Sequence, residues 1–591
     1  MPIAGATDSP RSRTVLEGVP VSPGIAIGPA WLLHPRKREI PKRSIAPGQA
    51  EAEVARLRRA LDAAGRQVRA LRERIGGDVG EYEARIFDSH ALILRDEEIL
   101  AAAARDIRDN LHNAEHAFHR QMNVLADRFD AAAGGFLKEH LIDLRDVAAR
   151  VIDILTLADG EAPPELRHPV VLLARALTPS GLSQFAAGNL LGLCLETGGK
   201  ASHTAILARS LGIPAVSGIP WAELSARAGG AVIVDGDAGR VILNPSLRDI
   251  KEHEHRRSVR LARERELEGL SGLEPVTRDG KHVALSANVE RPGEAEAVLR
   301  HGAGGVGLYR SEFLFLGRED MPGEEEQYQA YKALAEALAP RHVTIRTLDA
   351  GGDKQIPGLQ ADDERNPHMG WRSIRVSLRN PEPFKAQLRA ILRAGAGGNV
   401  RLMFPMITNL REFRAARAFA EEARAELAAA GVPHAADIET GCMIEVPSAA
   451  LLAEDLAREA DFFSIGTNDL AQFTLAVDRA NERVSDLLEP HSPAVLREIQ
   501  GVVQAARGQG IPVAICGEMA ADPDLALLFV GMGVDELSMS PAQVPEIKRL
   551  IRSVGYEEAR QCAREVLRLG TAEEVHALVK ERFKDVLGRD A

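Results

Sequence analysis

The segment "FFSIGTNDL" (462–470) contains the pattern that indicates the fold of the larger part of this chain. A short strand-like run, "FFSI", ends at Gly466, and polar residues follow it at once. Seven similar runs alternate with helical patterns: "VALSANV" (283–289), "GVGLYRSEFLF" (305–315), "VTIRTLDA" (343–350), "VRLMFPMI" (400–407), "ETGCMIEV" (439–446), "PVAICGEM" (512–519) and "ELSMS" (536–540). Eight runs in this alternation predict a (β/α)₈ TIM barrel over 273–555. A doubly wound sheet is the alternative, but such sheets more often stop at five or six strands.

Polar residues collect where these runs end, which is where barrel enzymes carry their chemistry. They are Arg310 and Glu312 after the second run, Arg346, Asp349 and "GGDK" (351–354) after the third, Glu445 after the fifth, Asn468 and Asp469 after the sixth, and Cys516 and Glu518 after the seventh. Arg372, Arg375, Arg479 and Arg483 lie in neighbouring loops. Any one of these arginines could form a surface ion pair.

Several arginines converging with a few carboxylates favour a small anion that carries phosphate and carboxylate groups, because the guanidinium fork binds two oxygens at once. Glu445 and Asp469 would repel each other unless a hard cation lay between them, and Mg²⁺ commonly takes one or two carboxylates plus substrate oxygens. Asn468 can add an uncharged hydrogen bond. Cys516 is either a small buried side chain or a thiol that exchanges a proton with a carbanion-like carbon.

The N-terminal part of the chain has a different pattern. Residues 1–16 predict a disordered leader, and residues 17–47 and 158–245 predict one small α/β domain. Between them, residues 48–157 have helical periodicity with few Gly or Pro, which predicts an inserted bundle of long helices. Residues 246–272 predict a charged linker helix, and 556–591 predict C-terminal helices.

The loop "GGKASHTAILARS" (198–210) carries one histidine, His203. Ser202 is a suitable N-cap, so His203 falls in the first turn of a helix. A helix N-terminus stabilises anions and disfavours the imidazolium form, which keeps the ring nucleophilic. His203 either packs or caps, or it accepts a phosphoryl group.

Composition limits the possible functions. The formal net charge of −12 argues against a nucleic-acid binder, which needs a basic surface. No apolar run approaches the ~18 residues of a membrane span. Four well-separated cysteines fit free thiols in a reducing compartment, so we expect a cytoplasmic enzyme.

These motifs resemble the enzyme I family of the bacterial phosphoenolpyruvate:sugar phosphotransferase system, from about residue 17 to about 580. The matching segments, in the family's order, are "GGKASHTAILARS", "GVGLYRSEFLF", "IRTLDAGGDK", "NPHMGWRSIR", "MIEVPSA", "SIGTNDLAQFTLAVDR" and "CGEMA". The resemblance implies that His203 takes phosphate from phosphoenolpyruvate on Nε2 and passes it to the carrier protein HPr. It also implies a homodimer formed through the barrel and HPr docking on the inserted helices.

The resemblance assigns further roles residue by residue. Cys516 corresponds to the proton donor to the pyruvate enolate, and Glu445 and Asp469 correspond to Mg²⁺ ligands. The positions that correspond to substrate-binding residues are Arg310, Arg346, Arg372, Asn468, Asp469 and Arg479. Ala201 departs from the family, which usually has a small hydroxyl or amide residue there.

Three other functions would account for some of these motifs. Pyruvate-phosphate dikinases and phosphoenolpyruvate synthases share the histidine domain and barrel but need a nucleotide-binding domain of roughly two hundred residues, which this sequence does not suggest. The nitrogen-branch paralogue usually has an extra N-terminal sensor domain. A catalytically inactive scaffold would not need His203, Cys516 and the arginines together.

Overall fold

The computed structural model divides the chain into two compact units, Met1–Ala262 and Arg263–Ala591, called here the N-terminal unit and the C-terminal unit. The described residues are 12–33, 40–78, 86–131, 137–156, 166, 168–186, 189–199, 202–316, 318, 320–351, 356, 358–359, 366–479, 481 and 483–588.

The N-terminal unit contains a mixed sheet of eight strands in the order β1-β8-β7-β3-β4-β5-β6-β2. The strands are β1 Thr14–Glu17, β2 Val19–Ser22, β3 Ile25–Leu33, β4 Val170–Ala174, β5 Leu190–Leu195, β6 Ala215–Ser217, β7 Ala231–Asp235 and β8 Arg240–Leu243. Strands β3 to β6 pair in parallel, and the other pairs are antiparallel. Strand β3 precedes the helical segment and β4 follows it, so the segment is an insertion between two paired strands.

The prediction of a disordered leader is wrong for residues 14–16. Thr14 pairs with Leu243 and Glu17 with Arg240, so β1 covers the edge of β8. Arg13 adds an ion pair with Asp249, in which Nε lies 2.7 Å from Oδ2. An open sheet edge binds a short alternating segment through its unpaired backbone groups, which outweighs the polar composition of the leader. Residues 1–11 of the predicted leader lie outside the described residues.

The described part of the insertion contains five helices, and three short helices connect the strands that follow. The helices are α1 Ala50–Asp78, α2 Ile86–Arg95, α3 Glu97–Asn110, α4 Ala114–Ala131, α5 Leu137–Thr156, α6 Pro179–Ala186, α7 His203–Ser210 and α8 Trp221–Arg227. Apolar side chains at helical spacing, including Leu57, Phe87, Phe118 and Val151, are almost completely buried. Their burial stabilises the bundle.

The charged segment forms helix α9, Leu247–Glu268. Arg256 forms a 2.6 Å ion pair with Asp235, the last residue of β7. Arg260 forms a 2.8 Å ion pair with Asp237, in the loop that follows β7. The apolar residues of α9 are few and mostly exposed, which agrees with its predicted solvated character.

The C-terminal unit is a closed barrel of eight parallel strands, as predicted. The strands are β9 Ala284–Val289, β10 Val306–Arg310, β11 Val343–Arg346, β12 Val400–Phe404, β13 Thr440–Ile444, β14 Phe462–Ile465, β15 Val513–Ile515 and β16 Glu536–Met539. Each lies within one of the eight runs of the sequence.

Helices surround the barrel and continue to the C-terminal end of the described chain. They are α10 Ala295–Arg300, α11 Glu324–Leu338, α12 Ile374–Arg379, α13 Pro381–Ala394, α14 Leu410–Ala429, α15 Pro447–Leu451, α16 Ala453–Ala457, α17 Thr467–Leu475, α18 Pro493–Gln509, α19 Pro523–Met532, α20 Val544–Ser553, α21 Tyr556–Val566, α22 Ala572–Arg582 and α23 Lys584–Leu587. The last three pack in the same unit as the barrel. None of the helices in the described part of either unit has the length and apolarity to cross a bilayer.

Strand alternation separates two cysteines that lie on neighbouring strands. Cys516 packs inside the barrel with Leu308, Met403 and Met443. Cys442 belongs to the larger core between the barrel and its helices, on the opposite face from Met443, as alternation predicts. The thiol of Cys516 is therefore the one that the barrel interior contains.

Candidate functional site

The carboxyl ends of the barrel strands bring most of the predicted site residues together. Arg310 and Arg346 are the last residues of β10 and β11, and Glu445 and Cys516 directly follow β13 and β15. Asn468 and Asp469 lie in the first turn of α17, three and four residues after the end of β14. Parallel strands end at one rim of a barrel, so residues far apart in sequence become neighbours.

These residues line one open cavity of about 610 Å³. Its wall includes Arg310, Arg346, Asp349, Glu445, Asn468, Asp469, Arg479, Cys516 and Glu518. The volume is enough for a small metabolite, and the charged lining suits one with several charged groups. Gly352, Asp353 and Lys354 of the predicted "GGDK" segment lie outside the described residues.

Arg346 is the buried centre of the positive charge in this wall. It forms an ion pair with Glu312, and its Nη2 lies 3.4 Å from Oδ2 of Asp349. Burial acts against its charged form, but these carboxylates outweigh burial and raise its pKa above the usual value. Its Nε is buried without a hydrogen-bond partner.

Arg372 lies behind the wall and is not among the cavity-lining residues, although the resemblance assigns it to substrate binding. It is 1% exposed and donates four hydrogen bonds of 3.0–3.1 Å, two to Asp349 and two to Asp469. Gly351 permits this approach, since a Cβ there would lie 2.5 Å from the carbonyl oxygen of Trp371. Arg372 therefore fixes two carboxylates that reach the cavity.

Glu445 is buried among like charges. Its Oε1 accepts a 2.6 Å hydrogen bond from the backbone N–H of Met406. Burial, together with Asp469 and Asp349, raises the pKa of Glu445 above its usual range. A cation next to Glu445 would offset the surrounding negative charge and stabilise its ionised form.

Cys516 lies at the floor of the cavity and is 3% exposed. Burial raises the pKa of its thiol to about 11, so Sγ keeps its proton at neutral pH. The next residue, Gly517, has no room for a side chain, because a Cβ would lie 1.8 Å from Oγ1 of Thr467. This close contact lets the N–H of Glu518 donate to Oδ1 of Asn468 at 3.1 Å.

The rim holds two further arginines and one residue that the sequence analysis missed. Nη1 of Arg310 donates to Glu290 at 3.1 Å, and Nη2 of Arg479 lies 3.9 Å from Oδ1 of Asp469. Glu290 directly follows β9, so the strand-end rule that identified the other residues could also have identified it. Arg375 and Arg483 are not among the residues that line the cavity.

His203 is the first residue of α7, and its side chain lies outside what the structure describes, as does Ala201. Ser202 is the N-cap, as predicted, and its Oγ accepts from the N–H of Ala205 at 3.3 Å. Thr204 donates to the carbonyl oxygen of Leu177 at 2.7 Å, which fixes the helix start against the loop between β4 and α6. Gly198 adopts φ +135°, a conformation that side chains rarely permit.

Comparison with known proteins supplies the family. The chain matches "PEP-utilising enzyme, N-terminal" over 17–140, "PEP-utilising enzyme, mobile domain" over 166–239 and "PEP-utilising enzyme, PEP-binding domain" over 264–556.

Curated relatives match along nearly the whole chain. Phosphoenolpyruvate-protein phosphotransferase of Bacillus subtilis (strain 168) is 41% identical over 96% of this chain and 100% of its own length. The protein of the same name from Geobacillus stearothermophilus is 42% identical over 97% of this chain and 99% of its own. The protein of the same name from Staphylococcus carnosus (strain TM300) is 40% identical over 96% of this chain and 99% of its own length. The barrel, its charged mouth and these full-length matches agree: the chain is an enzyme of the phosphoenolpyruvate-protein phosphotransferase family.

Proposed function

We propose that this enzyme transfers the phosphoryl group of phosphoenolpyruvate to its own His203 and then to a histidine of the carrier HPr, releasing pyruvate as the first step of phosphotransferase-system sugar uptake. One observation carries the proposal. A single cavity at the barrel mouth combines arginines for a phosphorylated carboxylate, two candidate metal ligands and a protonated thiol.

Three arginines and an amide hold the substrate. Arg310, Arg346 and Arg479 reach the cavity from three different elements, so they can bind the phosphate and carboxylate groups from different sides. Arg372 acts as a positioning residue that holds Asp349 and Asp469. Asn468 adds a donor from its side-chain amide while its oxygen accepts from the N–H of Glu518.

Glu445 and Asp469 would hold Mg²⁺. Both line the cavity, both offer hard oxygen donors, and the pKa of Glu445 is raised because it lies among other carboxylates, so the site fits a divalent cation. When bound, Mg²⁺ supplies positive charge that offsets the phosphate and carboxylate oxygens of the substrate.

The chemistry balances with the groups in this chain. The bond between phosphorus and the enol oxygen breaks, and a bond between phosphorus and Nε2 of His203 forms. The electron pair stays on the enolate of pyruvate. Sγ of Cys516 gives its proton to the methylene carbon of the enolate, and solvent later restores that proton. Because the thiol pKa is about 11, Cys516 enters this step with its proton in place.

The second transfer goes from the phosphohistidine to a histidine of HPr. The start of α7 suits a phosphorylated histidine, since free backbone N–H groups and the helix dipole favour negative charge there. We propose that the inserted helices α1 to α5 provide the docking surface for the carrier. The choice of HPr as the partner rests on the resemblance to the enzyme I family.

We also propose a homodimer formed through the barrel and a cytoplasmic location. Leu451 and Met369, on the C-terminal unit, are 84% and 64% exposed, which provides apolar surface for a second copy. All four cysteines are free thiols, which fits a reducing compartment. Sedimentation of the purified protein measures the first of these proposals.

Labelled phosphoenolpyruvate tests the proposed function. The unmodified protein should acquire about one acid-labile phosphate per chain and release pyruvate, and it should pass the label to purified HPr. His203→Ala should remain unlabelled. His168→Ala, which changes an exposed histidine of the same unit, is the matched control and should behave like the unmodified protein. Labelling of His203→Ala to the same level would refute the assignment.

A further inference from the structure

Outside the residues that line the cavity, two histidines and one aspartate form a cluster of side chains that could bind a metal. His491 lies in the loop before α18, Asp524 lies in the first turn of α19, and His576 lies in α22. Nε2 of His491 is 3.9 Å from Oδ2 of Asp524, and Nδ1 of His576 is 2.9 Å from the same oxygen. One nitrogen or oxygen atom from each of the three residues lies within 4.8 Å of the other two.

The two ring nitrogens that face Asp524 are shielded from solvent but make no hydrogen bond. The 2.9 Å contact of His576 is close but is not aligned as a hydrogen bond. The rings of His491 and His576 meet edge to face with centroids 5.0 Å apart. Shielded ring nitrogens that make no hydrogen bond are candidate ligands for an ion.

We propose that His491, Asp524 and His576 bind Zn²⁺. Zinc prefers imidazole nitrogen and carboxylate oxygen at about 2.0–2.2 Å in a tetrahedron, which puts ligand atoms roughly 3.4 Å apart. The observed separations of 2.9 and 3.9 Å lie on either side of that value. Three protein ligands leave a fourth position for water, and the 43% exposed side chain of His576 gives the ion access from solvent.

Neighbouring groups hold the ligands in place. Oδ1 of Asp522 accepts hydrogen bonds of 3.0 Å from the N–H groups of Asp524 and Leu525, which fixes the start of α19. The N–H of Ser492 donates to the carbonyl oxygen of Glu489 at 3.1 Å, which fixes the turn that carries His491. These hydrogen bonds fix the backbone that carries His491 and Asp524.

The site would connect the C-terminal helix α22 with two loops of the barrel mouth. Pro490, Asp522 and Leu525 line the catalytic cavity, and they neighbour His491 and Asp524 in sequence. A bound ion therefore stabilises the packing of α22 and the part of the cavity wall that these loops form. This role does not depend on the proposed phosphoryl transfer.

Zinc binding to the full chain tests the proposal. The protein is stripped with EDTA, dialysed and titrated with Zn²⁺ against a chromophoric chelator. His491→Gln and His576→Gln should each bind one Zn²⁺ fewer per chain at micromolar free zinc, or bind that ion at least a hundredfold more weakly. His282→Gln, which removes an exposed histidine paired with Glu274, is the matched control and should bind like the unmodified protein.

Two further measurements separate this site from the catalytic one and from a simple ion pair. Glu445→Gln should retain the ion, because Glu445 lies in the other candidate metal site. Co²⁺ should give the visible absorption of a tetrahedral site in the unmodified protein but not in His576→Gln. Equal zinc stoichiometry in the His491, His576 and His282 variants would overturn the proposal. A loss of thermal stability in His576→Gln that is the same with and without Zn²⁺ would also overturn it, since that result describes an ion pair alone.

Discussion

Arg372 holds Asp469 through both carboxylate oxygens, with Nη1 to Oδ1 and Nη2 to Oδ2 at 3.0 Å each. Asp469 lines the cavity, whereas Arg372 does not. The remaining Arg372 donors hold Asp349 in the same way. A fully buried guanidinium therefore sets the orientation of two carboxylates at a site whose negative charge would otherwise separate them.

Arg372→Lys should lower kcat far more than it changes KM for phosphoenolpyruvate. Lysine keeps the charge but cannot hold two carboxylates with a planar fork, and a ligand shift of ~1 Å can cost ~100-fold in rate. Steady-state pyruvate release measures both constants. Arg375→Lys changes an arginine of the same segment that donates to Met369 and Gly370 carbonyls, and it should stay near the unmodified rate. An Arg372→Lys effect on KM alone would assign Arg372 to substrate binding instead.

Cys516→Ala should slow turnover by ~100- to 10,000-fold, the usual contribution of a general acid, while phosphoenolpyruvate binding stays nearly unchanged. Cys442→Ala is the matched control, because Cys442 is also buried but belongs to the outer core. Rapid-quench measurement of pyruvate formation and calorimetric binding separate the two effects. Equal rates for the two variants would remove Cys516 from the mechanism.

The raised pKa of Cys516 predicts slow alkylation near neutral pH. The thiolate is the reactive form, and with a pKa of about 11 it is a small fraction of the thiol at pH 8. Iodoacetamide should modify Cys516 much more slowly than a free cysteine, whose pKa is about 8.5, and the rate should keep rising between pH 9 and pH 11. Peptide mass spectrometry over time follows the reaction. A rate that levels off near pH 8 would contradict the raised pKa.

The barrel and the identity of its mouth residues could be predicted because both follow from local patterns. Eight short runs with polar ends determine where strands such as β14 stop and where Asp469 falls. The division of roles at the mouth could not be predicted, because it depends on distances between elements. The sequence analysis predicts substrate binding for both Arg372 and Arg310, but of these two only Arg310 lines the cavity.

Two other features illustrate the same limit. Strand β1 forms because it can pair with the open edge of β8. Residues 14–17 alone do not indicate that this edge is available. His491, Asp524 and His576 are separated by up to 85 positions in sequence and have no ligand spacing between them. Only the packing of α22 against the loops of the barrel brings them together.

Removal of divalent cations should abolish phosphoryl transfer, and Mg²⁺ should restore it. Glu445→Gln keeps the size of the side chain but loses the charge that a hard cation needs, so restoration should require at least ~10-fold more Mg²⁺. Glu518→Gln changes a carboxylate that also lines the cavity and serves as the control. The measurement is the Mg²⁺ concentration at half-maximal rate after EDTA treatment. The same concentration for both variants would argue against Glu445 as a ligand.

Gly531→Ala should destabilise the C-terminal unit, because α19 and α21 touch at this glycine. A Cβ on Gly531 would lie 2.1 Å from the carbonyl oxygen of Ala559, so the helices must separate, at a cost of ~1–3 kcal/mol. Gly501→Ala, in the exposed part of α18 with no atom within 4 Å of its added Cβ, should instead stabilise by ~0.5–1 kcal/mol. Thermal unfolding of the full chain compares them. Stabilisation of both variants would mean that helix propensity, rather than the contact between α19 and α21, governs position 531.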